Sequence, residues 1–272
     1  MTIAQLIAQS ALPPLEAHML LGRVLGKTRA WLIAHADEAP GAEAGRAFAA
    51  LAERRRGGEP IAYILGEREF YGLEFLVGPT VLIPRPETEL LVELALGRIP
   101  ANKEVRVLDL GTGSGAIAVA LARERPQARV TAVDVDYAAL RVARANASRH
   151  RVSVRFFCGD WFGALPGETF DLIVSNPPYV AAADAHLATG DVRFEPQRAL
   201  LGGADGLDCI RAIVAKAGAH LRPDAWLLLE HGYDQAEACR TLLEVAGYRE
   251  VQSWPDLAGI ARVSGGRAGP KR

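Results

Sequence analysis

Apolar residues recur at helical spacing through the first 65 positions, then gather into short strand-like runs after about position 86. In PPLEAHMLLGRVLG (13–26) the period predicts a helix whose inner face carries Leu15, Met19 or His18, Leu21, Val24 and Leu25, with Pro13 and Pro14 at its start. AEAGRAFAALAERRRGG (42–58) predicts another, with Ala44, Phe48, Leu51 and Ala52 inside. Arg54, Arg55 and Arg56 fall in its last turn, where cations favour the helix dipole, and Gly57 and Gly58 end it. From 67 to 87, EREFYGLEFLVGPTVLIPRPE alternates apolar and polar residues around Gly72 and the Gly78-Pro79 pair, which predicts a hairpin-like connector.

Beyond it, VRVLDLG (105–111), RVTAVDV (129–135), VRFFCGD (154–160), FDLIVSN (170–176), AWLLLEHG (225–232), EVQSWP (250–255) and IARVSGG (260–266) are strand candidates. Helical segments separate most of them, the signature of a doubly wound α/β sheet. The chain thus divides into a helical region (1–65), a connector (66–85) and an α/β domain (86–272), with GGRAGPKR (265–272) expected to fray.

Composition narrows the class without naming it. Of the 272 residues half are apolar and 23% are charged, the balance of a globular protein with a real core. No apolar run is long enough to span a bilayer, and the N-terminus lacks the basic start of a signal peptide. Cys158, Cys209 and Cys239 are odd in number and lack metal-ligand spacing, so no metal is expected and a cytoplasmic location with reduced thiols is. A formal net charge of −1 speaks against a generic nucleic-acid binder.

The first chemical signal is VLDLGTGSGAIAVALA (107–122), a strand, a turn with Gly111, Thr112, Gly113, Ser114 and Gly115, then a helix. Glycine is required where φ must be positive or a ligand must approach the backbone closely. The same residues satisfy the dinucleotide fingerprint, and Asp134, at the end of the next strand, suits the ribose of either cofactor class. Asp109 discriminates. A carboxylate beside the turn repels a pyrophosphate and attracts an amine or a sulfonium, so S-adenosylmethionine is the expected ligand; the plainer role for Asp109 is a turn cap. Asp160 and Trp161, after the third strand, suit an adenine amino group and ring, or equally a helix cap and a core aromatic.

The second signal is SNPPYV (175–180), at the end of the fourth strand. In a doubly wound sheet that strand neighbours the first, so both motifs face one crevice. Asn176 offers a side-chain acceptor, Pro177 and Pro178 stiffen the backbone and leave carbonyls unclaimed, and Tyr179 adds a flat face. This set suits a planar –NH2 on an sp² carbon, held by two acceptors in line with a methyl–sulfur bond.

NPPY together with DLGTGSGAIA resembles the amino-methyltransferases, whose members act on DNA, ribosomal RNA or protein glutamine. EPIAYILGEREFYG (59–72), VLIPRPETE (81–89), FEPQRALLGGADGL (194–207) and LLLEHG (227–232) resemble the protein-(glutamine-N5) methyltransferases, nearest to the release-factor enzymes of the PrmC/HemK family. The resemblance implies a Rossmann-like class I methyltransferase sheet, mostly parallel with seven strands, behind a small helical domain that docks the substrate. It implies S-adenosylmethionine as cofactor and, as substrate, the Gly-Gly-Gln glutamine of class 1 peptide chain release factors, without a nucleic-acid substrate or a membrane. Residues 111–115, Asp134 and Trp161 match the family's donor contacts, Asn176 matches a residue that contacts both donor and substrate, and residues 176–179 match its glutamine clamp. Ser114 stands where threonine is common.

Arg85 and Glu87 admit two roles each, a lid or substrate contact against an ion pair and a helix N-terminal charge. Glu195 is expected to be structural, His231 a packing residue rather than a base, and the 54–56 arginine run a solvated helix end.

Overall fold

The computed structural model describes residues 1–269, which form two compact units. The first comprises Met1–Glu67 together with His186–Phe194, and the second Arg68–Ala185 with Glu195 onward.

The first unit holds α1 (Ile3–Gln9), α2 (Pro14–Leu25), α3 (Arg29–Ala34), α4 (Ala42–Arg56) and α5 (Ile61–Leu65). Thr2 and Gln5 cap α1 reciprocally, and Gly26, at φ +62°, ends α2. Ile3, Leu6, Ala17, Leu20, Leu21, Leu32, Phe48 and Ile64 form its core. The face expected of α2 is therefore rotated: Leu15 and Met19 are exposed, while Ala17, Leu20 and Leu21 are buried. Small residues set this seam. A Cβ on Gly22 would lie 2.8 Å from the Lys27 carbonyl, so the turn folds tightly onto the helix.

The arginine run is also more than a solvated end. Arg55 donates to Glu16 over 2.8 and 2.9 Å and to Asp191 over 2.7 Å. Arg193 donates to the Gly57 carbonyl over 3.2 Å. These bonds tie in residues 186–194, which no local pattern places with the helices.

β1 (Glu67–Phe70), whose first residue closes the first unit, and β2 (Leu73–Leu76) form a hairpin whose corner, Tyr71 and Gly72, has φ of +52° and +70°, the signs of a type I′ turn. The chain continues through α6 (Glu89–Leu96), β3 (Arg106–Leu110), α7 (Ala116–Glu124), β4 (Arg129–Asp134), α8 (Tyr137–Arg149), β5 (Val154–Cys158), β6 (Phe170–Ser175), α9 (Asp208–His220), β7 (Leu221–Glu230), α10 (Ala236–Val245), β8 (Arg249–Pro255) and β9 (Ala261–Arg267). Among the described residues seven strands make one sheet in the order β5-β4-β3-β6-β7-β9-β8. The first five run parallel, and β9 lies antiparallel between β7 and β8. The order reverses between β3 and β6, which opens a crevice at their carboxyl ends.

Both faces of the sheet are covered, which is why its strands read as unbroken apolar runs. Val107, Leu172, Val174 and Leu228 face the layer holding α6 and α7, and Leu108, Ile173, Leu227 and Leu229 face α9 and α10. The end of the chain corrects one expectation. Gly265, Gly266 and Arg267 do not fray but lie in β9, while residues 270–272 fall outside the described part. A Cβ on Gly265 would sit 2.5 Å from the Leu227 carbonyl, so these glycines permit close strand approach. Among the described residues no helix is long and apolar enough to cross a membrane.

Candidate active site

The glycine turn leaves β3 with Gly111, Gly113 and Gly115 at φ of +70°, +55° and +82°. Gly115 is further constrained, because its Cβ would lie 3.1 Å from that of Ala143. The turn is fastened to the end of β4: Gly111 and Thr112 donate to the Val133 carbonyl, and Gly113 donates to Asp134 Oδ2 over 2.8 Å. Asn146, wholly buried in α8, donates to the Ser114 carbonyl over 2.8 Å and exchanges two bonds with the backbone of Leu76. One amide thus fixes the turn to the hairpin.

Asp109 does not reach the crevice. It is wholly buried, and its Oδ2 accepts from the Thr112 hydroxyl over 2.6 Å. Strand alternation explains this: Asp109 shares the face of Val107, beneath α7. Burial pushes its pKa up to about 7. The geometry is that of a turn cap, not of a direct contact with a cationic ligand.

A cavity of about 280 Å³ opens at the crevice. Its walls include Gly111, Gly113, Asp134, Asp160, Trp161, Asn176 and Pro178 from the two motifs, with residues 80–82, Pro196, Arg198 and Cys209 unforeseen. Trp161, at φ +48°, lays its ring 3.6 Å from where a Cβ on Gly111 would be. Asp134 Oδ1 accepts from the Asp136 N–H over 2.9 Å, and burial raises its pKa. Each of its oxygens keeps a lone pair for a ribose hydroxyl. Asp134, Asp136 and Asp160 make the wall acidic, and Arg198 is engaged by Asp136 at 3.4 Å. Such a wall suits a nucleoside with a cationic substituent and disfavours a pyrophosphate. The residues present therefore fit S-adenosylmethionine: Asp134 would suit the ribose, Asp160 and Trp161 the base, and the glycine turn the remainder.

The clamp is built from β6. Ser175 donates to the Leu110 carbonyl over 2.7 Å, binding the end of β6 to that of β3. Asn176 then directs its Nδ2 to the Thr88 hydroxyl at 3.1 Å. Among the described residues, nothing donates to the Pro177 carbonyl. Tyr179 turns away from the cavity wall: its ring leans on the α9 core and its hydroxyl donates to Glu230 Oε1 over 3.2 Å.

A glycine-rich segment supports the clamp from behind. A Cβ on Gly202 would be 2.6 Å from the Pro178 carbonyl, and one on Gly206 would be 2.3 Å from that of Tyr179. Gln235 donates to the same Tyr179 carbonyl over 3.0 Å. Glu195, buried, accepts from the Ile83 N–H over 3.0 Å and pairs with Arg85, so these two residues hold the 83–85 segment, while Glu87 sits in a single 3₁₀ turn ahead of α6. His231 is buried away from the cavity; its Nδ1 donates to the Gly232 carbonyl and its Nε2 accepts from Ser264. Burial lowers its pKa, so it packs as a neutral ring. Thr88, Asn146, Glu230 and Gln235 escaped the motif reading. Only one left a trace, as a polar residue closing an apolar stretch: Glu230 at the end of LLLE.

The sheet order, the glycine turn and the crevice at the β3–β6 switch define a class I methyltransferase. Residues 87–205 match the methyltransferase small domain, and residues 2–66 match the PrmC N-terminal domain. A release factor glutamine methyltransferase from Bordetella pertussis is 54% identical over 267 residues, covering 97% of this chain and 98% of its own. The chain belongs to the release factor glutamine methyltransferase family. Among solved structures, a methyltransferase from Pyrococcus furiosus shares the fold with a TM-score of 0.57 at 22% identity, covering 80% of this chain and 98% of that one. A T. thermophilus 16S rRNA N2 G1207 methyltransferase, in complex with AdoMet and guanosine, has a TM-score of 0.55 at 25% identity, over 74% of this chain and 49% of that one.

Proposed function

We propose that this chain methylates the side-chain amide nitrogen (N5) of the glutamine in the Gly-Gly-Gln motif of class 1 peptide chain release factors, in the cytoplasm, with S-adenosylmethionine as donor. One observation carries the reading. Asn176, which lines the cavity beside the glycine turn, spends its Nδ2 on Thr88 and keeps its Oδ1 free, and the next carbonyl, that of Pro177, is also unclaimed. Two acceptors on consecutive residues match the two N–H bonds of a primary amide.

When bound, the donor supplies an electrophilic methyl group on a sulfonium. The chain's own residues do the rest. Asn176 Oδ1 and the Pro177 carbonyl accept the two amide protons and turn the nitrogen lone pair toward the glycine turn. That lone pair is delocalised and weakly nucleophilic, so orientation is the main requirement. The positive charge that would grow on nitrogen, as the methyl–sulfur bond breaks and its electron pair stays on sulfur as a neutral thioether, would be stabilised by the two fixed carbonyl dipoles without reorganising. The amide proton becomes acidic at that point and leaves without a dedicated base, consistent with the buried, neutral His231. Asn176 and Pro177 are thereby the catalytic residues. Tyr179 and Pro178 shape the clamp, and the helical first unit serves as the release-factor docking surface.

Methyl transfer from labelled donor to a release factor, but not to its Gln→Ala tip variant, is the expected result. Equal labelling of both would sink the reading. Mass spectrometry of a ribosomal large-subunit protein, incubated in parallel, separates this substrate from the sister glutamine reaction; duplex DNA and rRNA are expected to stay unlabelled.

A further inference from the structure

Glu230 is a carboxylate at the end of an apolar strand, 1% exposed, and its Oε2 has no hydrogen-bond partner among the described residues. Such a group works against folding stability, so stability is not what it contributes. Its neighbours show what it does instead. Tyr179 donates to its Oε1 over 3.2 Å. Burial raises the pKa of this carboxyl, and the Thr88 and Tyr179 hydroxyls oppose that rise. Glu87 and Arg262 are the remaining charges that act on it. Thr88 in turn accepts from Asn176 Nδ2 at 3.1 Å.

A threonine hydroxyl has one proton. Directed at Glu230, that proton leaves only lone pairs for Asn176, which must then present its N–H and not its carbonyl to Thr88. Without the carboxyl, the hydroxyl is free to donate to Asn176 Oδ1, and the amide can rotate by 180° at little cost. Rotation would bring an N–H, not an acceptor, to the substrate amide.

We propose that Thr88 and Glu230 are positioning residues: the carboxyl polarises Thr88 and anchors Tyr179, and so keeps the Asn176 carbonyl oxygen aimed at the substrate nitrogen. This rests on the glutamine reading above. The proposal assigns Asn176 its orientation by a chain of three side chains drawn from the 3₁₀ turn before α6, the clamp and β7.

The test compares Thr88→Val, Thr88→Ser and Glu230→Gln in the full-length protein. Thr88→Val keeps the shape and removes the acceptor; turnover is expected to fall roughly 10- to 100-fold with donor affinity within about threefold. Thr88→Ser restores the hydroxyl and should recover turnover to within about threefold of wild type. Glu230→Gln should lower turnover about tenfold while Tm stays level or rises, opposite to what a merely structural role predicts. Turnover within about twofold of wild type in both Thr88→Val and Glu230→Gln overturns the proposal. A second readout needs no acceptor substrate. The side-chain amide resonance of Asn176, assigned by its loss in Asn176→Asp, should shift in Thr88→Val and return in Thr88→Ser. An unmoved resonance overturns the proposal; a shifted one, with the wild type inert toward release factors, sinks the substrate reading alone.

Discussion

The Ser175 hydroxyl donates to the Leu110 carbonyl over 2.7 Å, and the two residues are register partners across β3 and β6. The next residue on each strand, Gly111 and Asn176, therefore emerges at the same level of the sheet. Donor turn and amide clamp are placed by one strand pair, so their spacing depends on backbone register and not on flexible side chains.

Removing the clamp's side-chain acceptor tests the division of labour between the motifs. Asn176→Ala is expected to lower turnover about 100-fold or more, with donor affinity changed by less than about threefold. Single-turnover kinetics beside calorimetric donor titration measures both. Unchanged turnover would remove Asn176 from the mechanism.

Gly206 lies outside the cavity yet should matter as much. Its φ is +78° and a Cβ there would meet the Tyr179 carbonyl at 2.3 Å. Gly206→Ala must displace the clamp backbone, and a displacement of order 1 Å is expected to cost roughly 100-fold in turnover. Donor binding should persist, since the glycine turn is untouched. Wild-type turnover in this variant would mean that the clamp tolerates movement.

Asn146 makes three hydrogen bonds to the backbone of Leu76 and Ser114 from a wholly buried position. Asn146→Leu leaves those groups unsatisfied and is expected to cost about 2–4 kcal/mol of stability. Because one of them is in the glycine turn, donor affinity should weaken as well. Denaturant unfolding and donor titration on the same sample check both effects; a loss of stability with intact affinity would separate the hairpin contact from the turn.

The buried Asp109 predicts a signed pH dependence. Its pKa in the folded chain is about 7, above the value of about 4 for an unfolded aspartate. The folded state therefore holds the proton more tightly, and the contribution to stability is complete below about pH 4 and lost as pH rises through about 7. Asp109→Asn preserves the acceptor for Thr112 without titrating. The unfolding free energy of wild type minus that of the variant should be larger near pH 5 than near pH 8; a difference that grows with pH would contradict the burial argument.

Much of the site was legible because its constraints are local. Positive φ at Gly111, Gly113 and Gly115 and stiff carbonyls at Pro177 and Pro178 are properties of residue types at fixed spacing, and alternating strands and helices dictate a doubly wound sheet that brings the two motifs together. What stayed hidden depends on partners distant in the chain. Which way Asp109 points follows from strand pleat and the helix above it. The pairing of Arg55 joins it to Asp191, 136 residues away. The face of α2 follows from close packing against small residues, and the glycines of β9 from the strands on either side. The sequence by itself determined the elements, the crevice and the chemistry it can hold; only the tertiary structure decided that Asn176 turns its N–H to Thr88 and that Tyr179 turns its hydroxyl to Glu230, because hydrogen-bond partners depend on which groups fold within reach of one another.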